Sequence, residues 1–173
     1  METEYIGIYS DTHGWFDPAL ERDFEDCSQI WHAGDIGHPN ALGPWLESEK
    51  LRAVYGNIDG GEVRQIFPEH QFFTVQGFPI LMTHIAGKHP GYNAKVRELI
   101  RKFKPKMLVC GHSHICRVVM EGGILYVNPG AAGKHGFHKM RTALKIGFRA
   151  GKPVEVRVLE LGTRASGLSS EEA

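Results

Sequence analysis

The sequence predicts an α/β domain in which strand–helix–strand units come first and antiparallel hairpins follow. Up to residue 110, short apolar and β-branched runs alternate with helical segments, the signature of strands joined by crossover helices. Beyond residue 115 the patterning is wholly that of strands broken by glycine turns. The 173 residues suit one domain, long enough to bury roughly 70% of its unfolded surface.

The first strand is read at Tyr5–Tyr9 and stops at the polar cluster Ser10-Asp11-Thr12-His13-Gly14. Asp17-Pro18 suits an N-cap and first helical position, opening a short helix with Leu20 and Phe24 on one face. A buried strand, Ile30–Ala33, ends at Gly34-Asp35. A proline-interrupted helical segment near Ala41–Glu47 leads to a strand at Leu51–Tyr55, which ends at Gly56-Asn57. Phe72–Val75 and Pro79–Met82 read as a strand pair turning at Gln76-Gly77, the second ending at Thr83-His84. The clearest helix has Val96, Leu99, Ile100 and Phe103 on one face, Asn93 as N-cap and Pro105 beyond its end. Met107–Cys110 is a short buried strand that ends at Gly111-His112-Ser113-His114. Ile115–Met120 and Ile124–Val127 flank Gly122-Gly123, and alternating segments around Leu144–Phe148 and Val154–Val158 flank Ala150-Gly151. These are two hairpins, each expected to bury one face in a mostly antiparallel sheet. The domain is read as residues 1–161, with 162–173 a weakly packed polar C-terminal tail.

Composition narrows the function. Twenty basic residues balance twenty acidic ones, and no Lys/Arg block stands out, so there is no strong nucleic-acid signal and no membrane-surface signal. The start Met1-Glu2-Thr3-Glu4 lacks the charged and apolar regions of a secretory signal, and no apolar stretch approaches a membrane span, which reads as a cytoplasmic protein. Cys27, Cys110 and Cys116 are odd in number and read as buried thiols. Trp31 and Trp45 read as core and rim, while Trp15 is placed to line a pocket.

Ten histidines and 21 glycines gather at the strand ends. Five apolar runs each end in ligand-type residues: Asp11 with His13, then Asp35, Asn57, His84, and His112 with His114. In open α/β sheets the crevice beyond the carboxyl ends of the strands binds ligands, so these seven donors can converge. Three or four protein ligands serve one ion, so seven with one bridging carboxylate suit two. With no thiolate among them, Mn, Fe, Zn, Ni or Co fit the set. Glycines 34, 56 and 111 precede ligands where the chain must turn sharply near the ions. His32, His70 and His138 are read as structural. Cys110 to Cys116 is not read as a zinc knot, because alternate side chains of one strand cannot wrap a single ion.

The order D-x-H, G-D, G-N-x-D, T-H, G-H-x-H, from Asp11 to His114, resembles the calcineurin-like metallophosphoesterases. With Asn128-Pro129-Gly130 behind it, the chain is similar to their small bacterial and archaeal phosphodiesterase branch. The resemblance implies a four-layer αββα sandwich of two mixed sheets flanked by helices. It implies one metal held by Asp11, His13, Asp35 and His114 and another by Asp35, Asn57, His84 and His112, with Asp35 as bridge. Two divalent ions per chain, Mn first among the candidates, would hold a bridging hydroxide as nucleophile, and the Asn57 amide would also reach a phosphate oxygen of a small phosphoester substrate. The implied activity is a dinuclear metal-dependent phosphodiesterase. The alternative, from a trafficking-coat subunit of the same fold, is a non-catalytic scaffold that binds protein partners. Relatives in the branch also suggest a homo-oligomer.

Two departures from the pattern stand out. Many members carry a proton-donating His after the motif Asn; here the residue is Ile58, leaving Asp59 without an evident partner and His38, His89 or His135 as replacement donors. Thr83-His84 runs into Ile85-Ala86-Gly87, so Lys88 and His89 form one basic loop beside the site, with Lys134, His135 and His138 forming another.

Overall fold

The computed structural model describes residues 1–88 and 91–165. Strand β1 (Glu4–Tyr9) shows why the chain layers as it does. Side chains alternate across a strand, so Ile6 and Ile8 enter one core while Tyr9 enters another on the opposite face. Strand β1 pairs in parallel with β2 (Cys27–His32), and β2 with β3 (Leu51–Ala53). On its other side β1 pairs antiparallel with β9 (Met140–Arg149), which pairs with β10 (Lys152–Thr163). The first sheet therefore runs β10-β9-β1-β2-β3. The second is built from β4 (His70–Val75), β5 (Phe78–Thr83), β6 (Met107–Val109), β7 (Cys116–Glu121) and β8 (Ile124–Pro129), in the order β4-β5-β6-β8-β7.

Three apolar clusters separate four layers. Between the sheets, Ile6, Ile8, Leu144 and Ile146 meet Ile80, Met82, Val109 and Val127. Outside the first sheet, Leu20 and Phe24 beside α1 (Ala19–Asp23), Val63 of α2 (Gly61–Ile66) and Leu42 of a 3-10 segment (Pro39–Trp45) cover Tyr9 and Ile30. Outside the second, Val96 and Leu99 of α3 (Ala94–Phe103) cover Leu81 and Leu108. Helix, sheet, sheet, helix is the expected αββα arrangement. No helix of the described residues is long and apolar enough to cross a membrane.

Several local expectations hold. The Asn93 side chain accepts the Val96 N–H at 2.9 Å as the cap of α3, and Lys104 closes that helix in the left-handed conformation. Gln76-Gly77 turns β4 into β5 with both residues at positive φ. All three cysteines are free thiols, Cys27 and Cys110 buried and Cys116 half-buried.

Other expectations need correction. The hairpins do not share a sheet: β7–β8 joins the second, while β9–β10 joins the first. Strand β9 is buried on both faces, because it lies inside its sheet between β10 and β1 with the second sheet beneath it. The proline-interrupted segment is 3-10 rather than α, broken at Gly43 (φ 58°). Helix α2 is absent from the sequence reading, since six residues with Val63 as their buried apolar position show no periodicity. Strand β10 continues through Gly162 and Thr163, whose carbonyl accepts from Arg141 Nε at 3.1 Å. The rest of the expected tail, from residue 166, lies outside the described residues.

Candidate metal centre

Strands β1, β2, β3, β5 and β6 deliver their carboxyl ends to one rim of the sandwich, and the seven expected donors sit in the loops that leave them. Two groups result: Asp11, His13 and His114, and Asp35, His84 and His112. Asp11, Asp35 and His84 form the buried floor, His13 and His114 are half-buried, and Asn57 and His112 are exposed above them.

Ligand-atom spacing tests whether ions fit. For bonds of about 2.1 Å, neighbouring ligand atoms lie ~3.0 Å apart in an octahedron and ~3.4 Å in a tetrahedron. Here His114 Nε2 lies 3.2 Å from Asp11 Oδ1, and His84 Nε2 lies 3.2 Å from Asp35 Oδ2. His13 Nε2 lies 3.5 Å from the same Asp35 Oδ2, and His112 Nδ1 lies 3.1 Å from Asn57 Oδ1. One oxygen of Asp35 thus touches a histidine of each group, the position a bridging ligand needs. Asp11 Oδ1, His13 Nε2 and His84 Nε2 are buried without a hydrogen-bond partner. Orphaned donors of this kind in a nitrogen–oxygen set fit divalent cations.

The remaining atoms of these side chains are held by the protein, which aims the free ones. His84 Nδ1–H donates to the Ala33 carbonyl at 2.7 Å, leaving Nε2 to the centre. Ser10 Oγ and the His112 N–H donate to Asp11 Oδ2 at 2.6 and 3.1 Å, leaving Oδ1. The Ile58 N–H donates to Asp35 Oδ1 at 3.1 Å. Burial acts to raise the Asp11 and Asp35 carboxyls, but the adjacent His114 and His84 rings, with hydrogen bonds from Ser10 and the Ile58 N–H, hold both below the ordinary range. His84 is pulled down by burial and raised more strongly by the adjacent Asp35 and Asp11 carboxylates and the Ala33 carbonyl. His13 is lowered, chiefly by burial. A cation at this centre would compete with the His84 proton.

Backbone geometry explains the glycines. A Cβ on Gly56 would stand 2.1 Å from Asp35 Oδ1, and one on Gly111 would stand 2.2 Å from Ser10 Oγ, so a side chain at either position would occupy the space of the carboxylate support.

Residues the motif reading left without a role brace the loops. Asp59 is buried and accepts the N–H groups of Ile36, Gly37 and Gly56 at 3.1, 2.7 and 2.7 Å, which ties the Asp35 loop to the Asn57 loop. Asp59 therefore has partners, all of them backbone. Asn128 donates to the Gly111 carbonyl at 2.9 Å and to Ser113 Oγ at 3.1 Å, holding the loop of His112 and His114. His32 is structural as expected: Nε2 is 2.9 Å from Thr12 Oγ1, and Nδ1 accepts the Gly34 N–H at 3.1 Å. His70 and His138 each pair one ring nitrogen and leave the other buried without a hydrogen-bond partner. Residues 111–115 form a bend rather than the expected strand, so the strand argument against a zinc knot does not apply to them; His112 and His114 fall in different groups. Lys134 Nζ and the Arg141 guanidinium stand over the Trp15 ring, 4.2 and 4.7 Å from its centroid. Of the replacement donors, His135 stands over the His13 ring at 4.8 Å, whereas His38 caps the 3-10 segment and faces Glu62. His89 lies outside the described residues.

The αββα sandwich thus gathers a nitrogen–oxygen donor cluster at its strand ends. The model of the calcineurin-like phosphoesterase superfamily domain matches residues 5–149, and the chain belongs to that superfamily. A protein of Methanocaldococcus jannaschii named as a probable metallophosphoesterase is 29% identical over 136 residues, covering 75% of this chain and 68% of its own. An archaeal phosphodiesterase has the same fold at TM-score 0.68 and 20% identity, covering 90% of this chain and 99% of that one. Vps29 of Chaetomium thermophilum superposes at TM-score 0.69 and 16% identity, covering 91% and 95%.

Proposed function

We propose that this chain hydrolyses a phosphodiester with two divalent cations held by Asp11, His13, Asp35, Asn57, His84, His112 and His114. The observation that carries this reading is Asp35 Oδ2, within 3.5 Å of His13 and 3.2 Å of His84. When bound, such a cation pair lowers the pKa of a shared water and neutralises charge on phosphoryl oxygens. The protein's part is to fix where that charge sits. Asp11 and Asp35 supply the buried negative charge, and Ser10, Ile58 and Ala33 fix which atoms of Asp11, Asp35 and His84 remain free. Asn57 stands exposed above the floor, where its amide NH₂ can donate to a phosphate oxygen. His135, beside His13 at the rim, offers a further donor. Mn is the favoured ion, with Fe, Zn, Ni and Co compatible with the same ligands, and the cytoplasm is the favoured location.

A scaffold role, suggested by the Vps29 likeness, would leave orphaned buried donors without a use. Metal analysis of the purified protein, with turnover of an aryl phosphodiester and an aryl phosphomonoester in Mn²⁺ and after chelation, tests the reading. Metal-dependent turnover, faster on the diester, is expected; no bound metal even with Mn²⁺ supplied would overturn the site. Asp35→Asn is expected to lose turnover and occupancy of both ions, and retention of two ions by that variant would count against Asp35 as the bridge.

A further inference from the structure

Two cavities meet at Asn57 and differ in chemistry. One, about 550 Å³, runs from Asn57 and His84 toward Arg64, His70, Asn93 and Lys95. Its walls carry the charged side chains of Arg64, Glu69 and Lys95 and the amides of Asn57 and Asn93 beside Tyr55, Ile85 and Val96; His70 Nε2 lies 3.7 Å from the Glu69 carboxylate, and Lys95 stands on the first turn of α3. The other, about 500 Å³, lies over His13, Asp35, His112 and His114 and shares Asn57 with the first. Its outer rim carries Ile58, Ile115 and Phe137, which are 45%, 64% and 103% exposed, and among the described residues Asp35 is the one Asp, Glu, Lys or Arg bordering it. Large apolar side chains left in water around a ligand cluster point to an apolar ligand group, while paired charged and amide groups point to a polar one.

Resting on the phosphodiesterase reading above, we infer that the substrate is an asymmetric phosphodiester. Its polar, hydrogen-bonding alcohol occupies the cavity of His70 and Lys95, and its apolar alcohol packs on Ile58, Ile115 and Phe137. A monoester has one substituent and would leave one cavity empty. Two cavities that share the amide assigned to the phosphate match the two arms of a diester. Each is large enough for a ring-sized group.

The test compares a nucleoside 5′-(p-nitrophenyl phosphate), one polar and one apolar arm, with bis(p-nitrophenyl) phosphate, two apolar arms, in Mn²⁺. The KM of the asymmetric ester is expected to be lower by about tenfold, the worth of a charge-assisted hydrogen bond. His70→Ala with Lys95→Ala should raise KM for the asymmetric ester about tenfold more than for the symmetric one. Phe137→Ser with Ile115→Ser should raise KM for both by about tenfold through lost apolar contact. Independently of turnover, amide NMR shifts in Zn²⁺ should map a nucleoside monophosphate to the start of α3 and phenyl phosphate to residues 113–115 and 136–138. All four substituted side chains lie at cavity walls, and circular dichroism checks that each variant folds. Equal KM values, shifts that coincide for the two probes, or rim substitutions that change self-association and not KM would overturn the inference. Absence of Mn²⁺-dependent turnover on either diester would instead overturn the phosphodiesterase reading beneath it.

Discussion

Five of the seven proposed ligands adopt a backbone conformation that ordinary side chains avoid. Asp11, His13, Asp35, His112 and His114 have φ between 47° and 70°, each at a strain of about 1–3 kcal/mol. A left-handed residue in the loop two to five positions beyond a strand turns the chain sharply at the rim, where donors from separate loops meet. The strain is testable without metal. In chelator, His114→Gly should be more stable than His114→Ala by about 1 kcal/mol in denaturant unfolding, because glycine relieves the backbone and alanine does not. Ile58, 45% exposed beside Asn57, marks the missing proton donor. Ile58→His should raise turnover on poor leaving groups by about 10²-fold while leaving activated aryl esters little changed. Equal gains on both would remove the explanation. The ligand identities were legible in the sequence, since strand-end Asp, Asn and His recur with glycine. The φ values were not, because non-glycine residues take them only when surrounding contacts impose them.

At the scale of elements, strand ends place the site and loop braces hold it. Asp59 shows the difference. In the motif it follows Asn57 and Ile58 with no visible duty, yet its carboxylate accepts three N–H groups from two loops. Asp59→Ala leaves those donors unpaired, the N–H groups of Ile36 and Gly56 in buried residues, and should destabilise the fold by about 3 kcal/mol in urea unfolding. Metal affinity should fall with it, by about 10–100-fold, as the loops of Asp35 and Asn57 lose their common anchor. Unchanged affinity would mean that the loops hold their geometry alone. Helix α3 was legible to its cap because ten residues carry a full amphipathic period. Helix α2 was not, because six residues carry too little pattern.

Across the molecule, the same burial that shields the centre sets its response to acid. His32 is fully buried against the Tyr9 ring, with both nitrogens paired, and burial pushes its pKa down to about 3 from an ordinary 6.5. A second proton would have to sit on Nδ1, against the Gly34 N–H. The folded state therefore excludes a proton that the unfolded chain binds. The stability tied to His32 is complete above pH 6.5 and drains as the pH falls from 6.5 toward 3. His32→Gln should flatten the pH dependence of unfolding between about pH 7 and 4.5 by up to one proton, at some cost in stability at neutral pH. An unchanged slope would show that other groups carry the acid sensitivity.

The sequence by itself determined the strand ends and their donors, because apolar runs and turn residues are local properties. It also carried the family likeness, which lies in the order of short motifs. Only the tertiary structure decided that β9–β10 would extend the first sheet and β7–β8 the second, since strand patterning specifies a face and not a neighbour. Likewise only the fold brought Asp59 under two loops and joined a cavity with an apolar rim to one with charged walls at Asn57. Those pairings join residues far apart in the chain, and no local spacing encodes them.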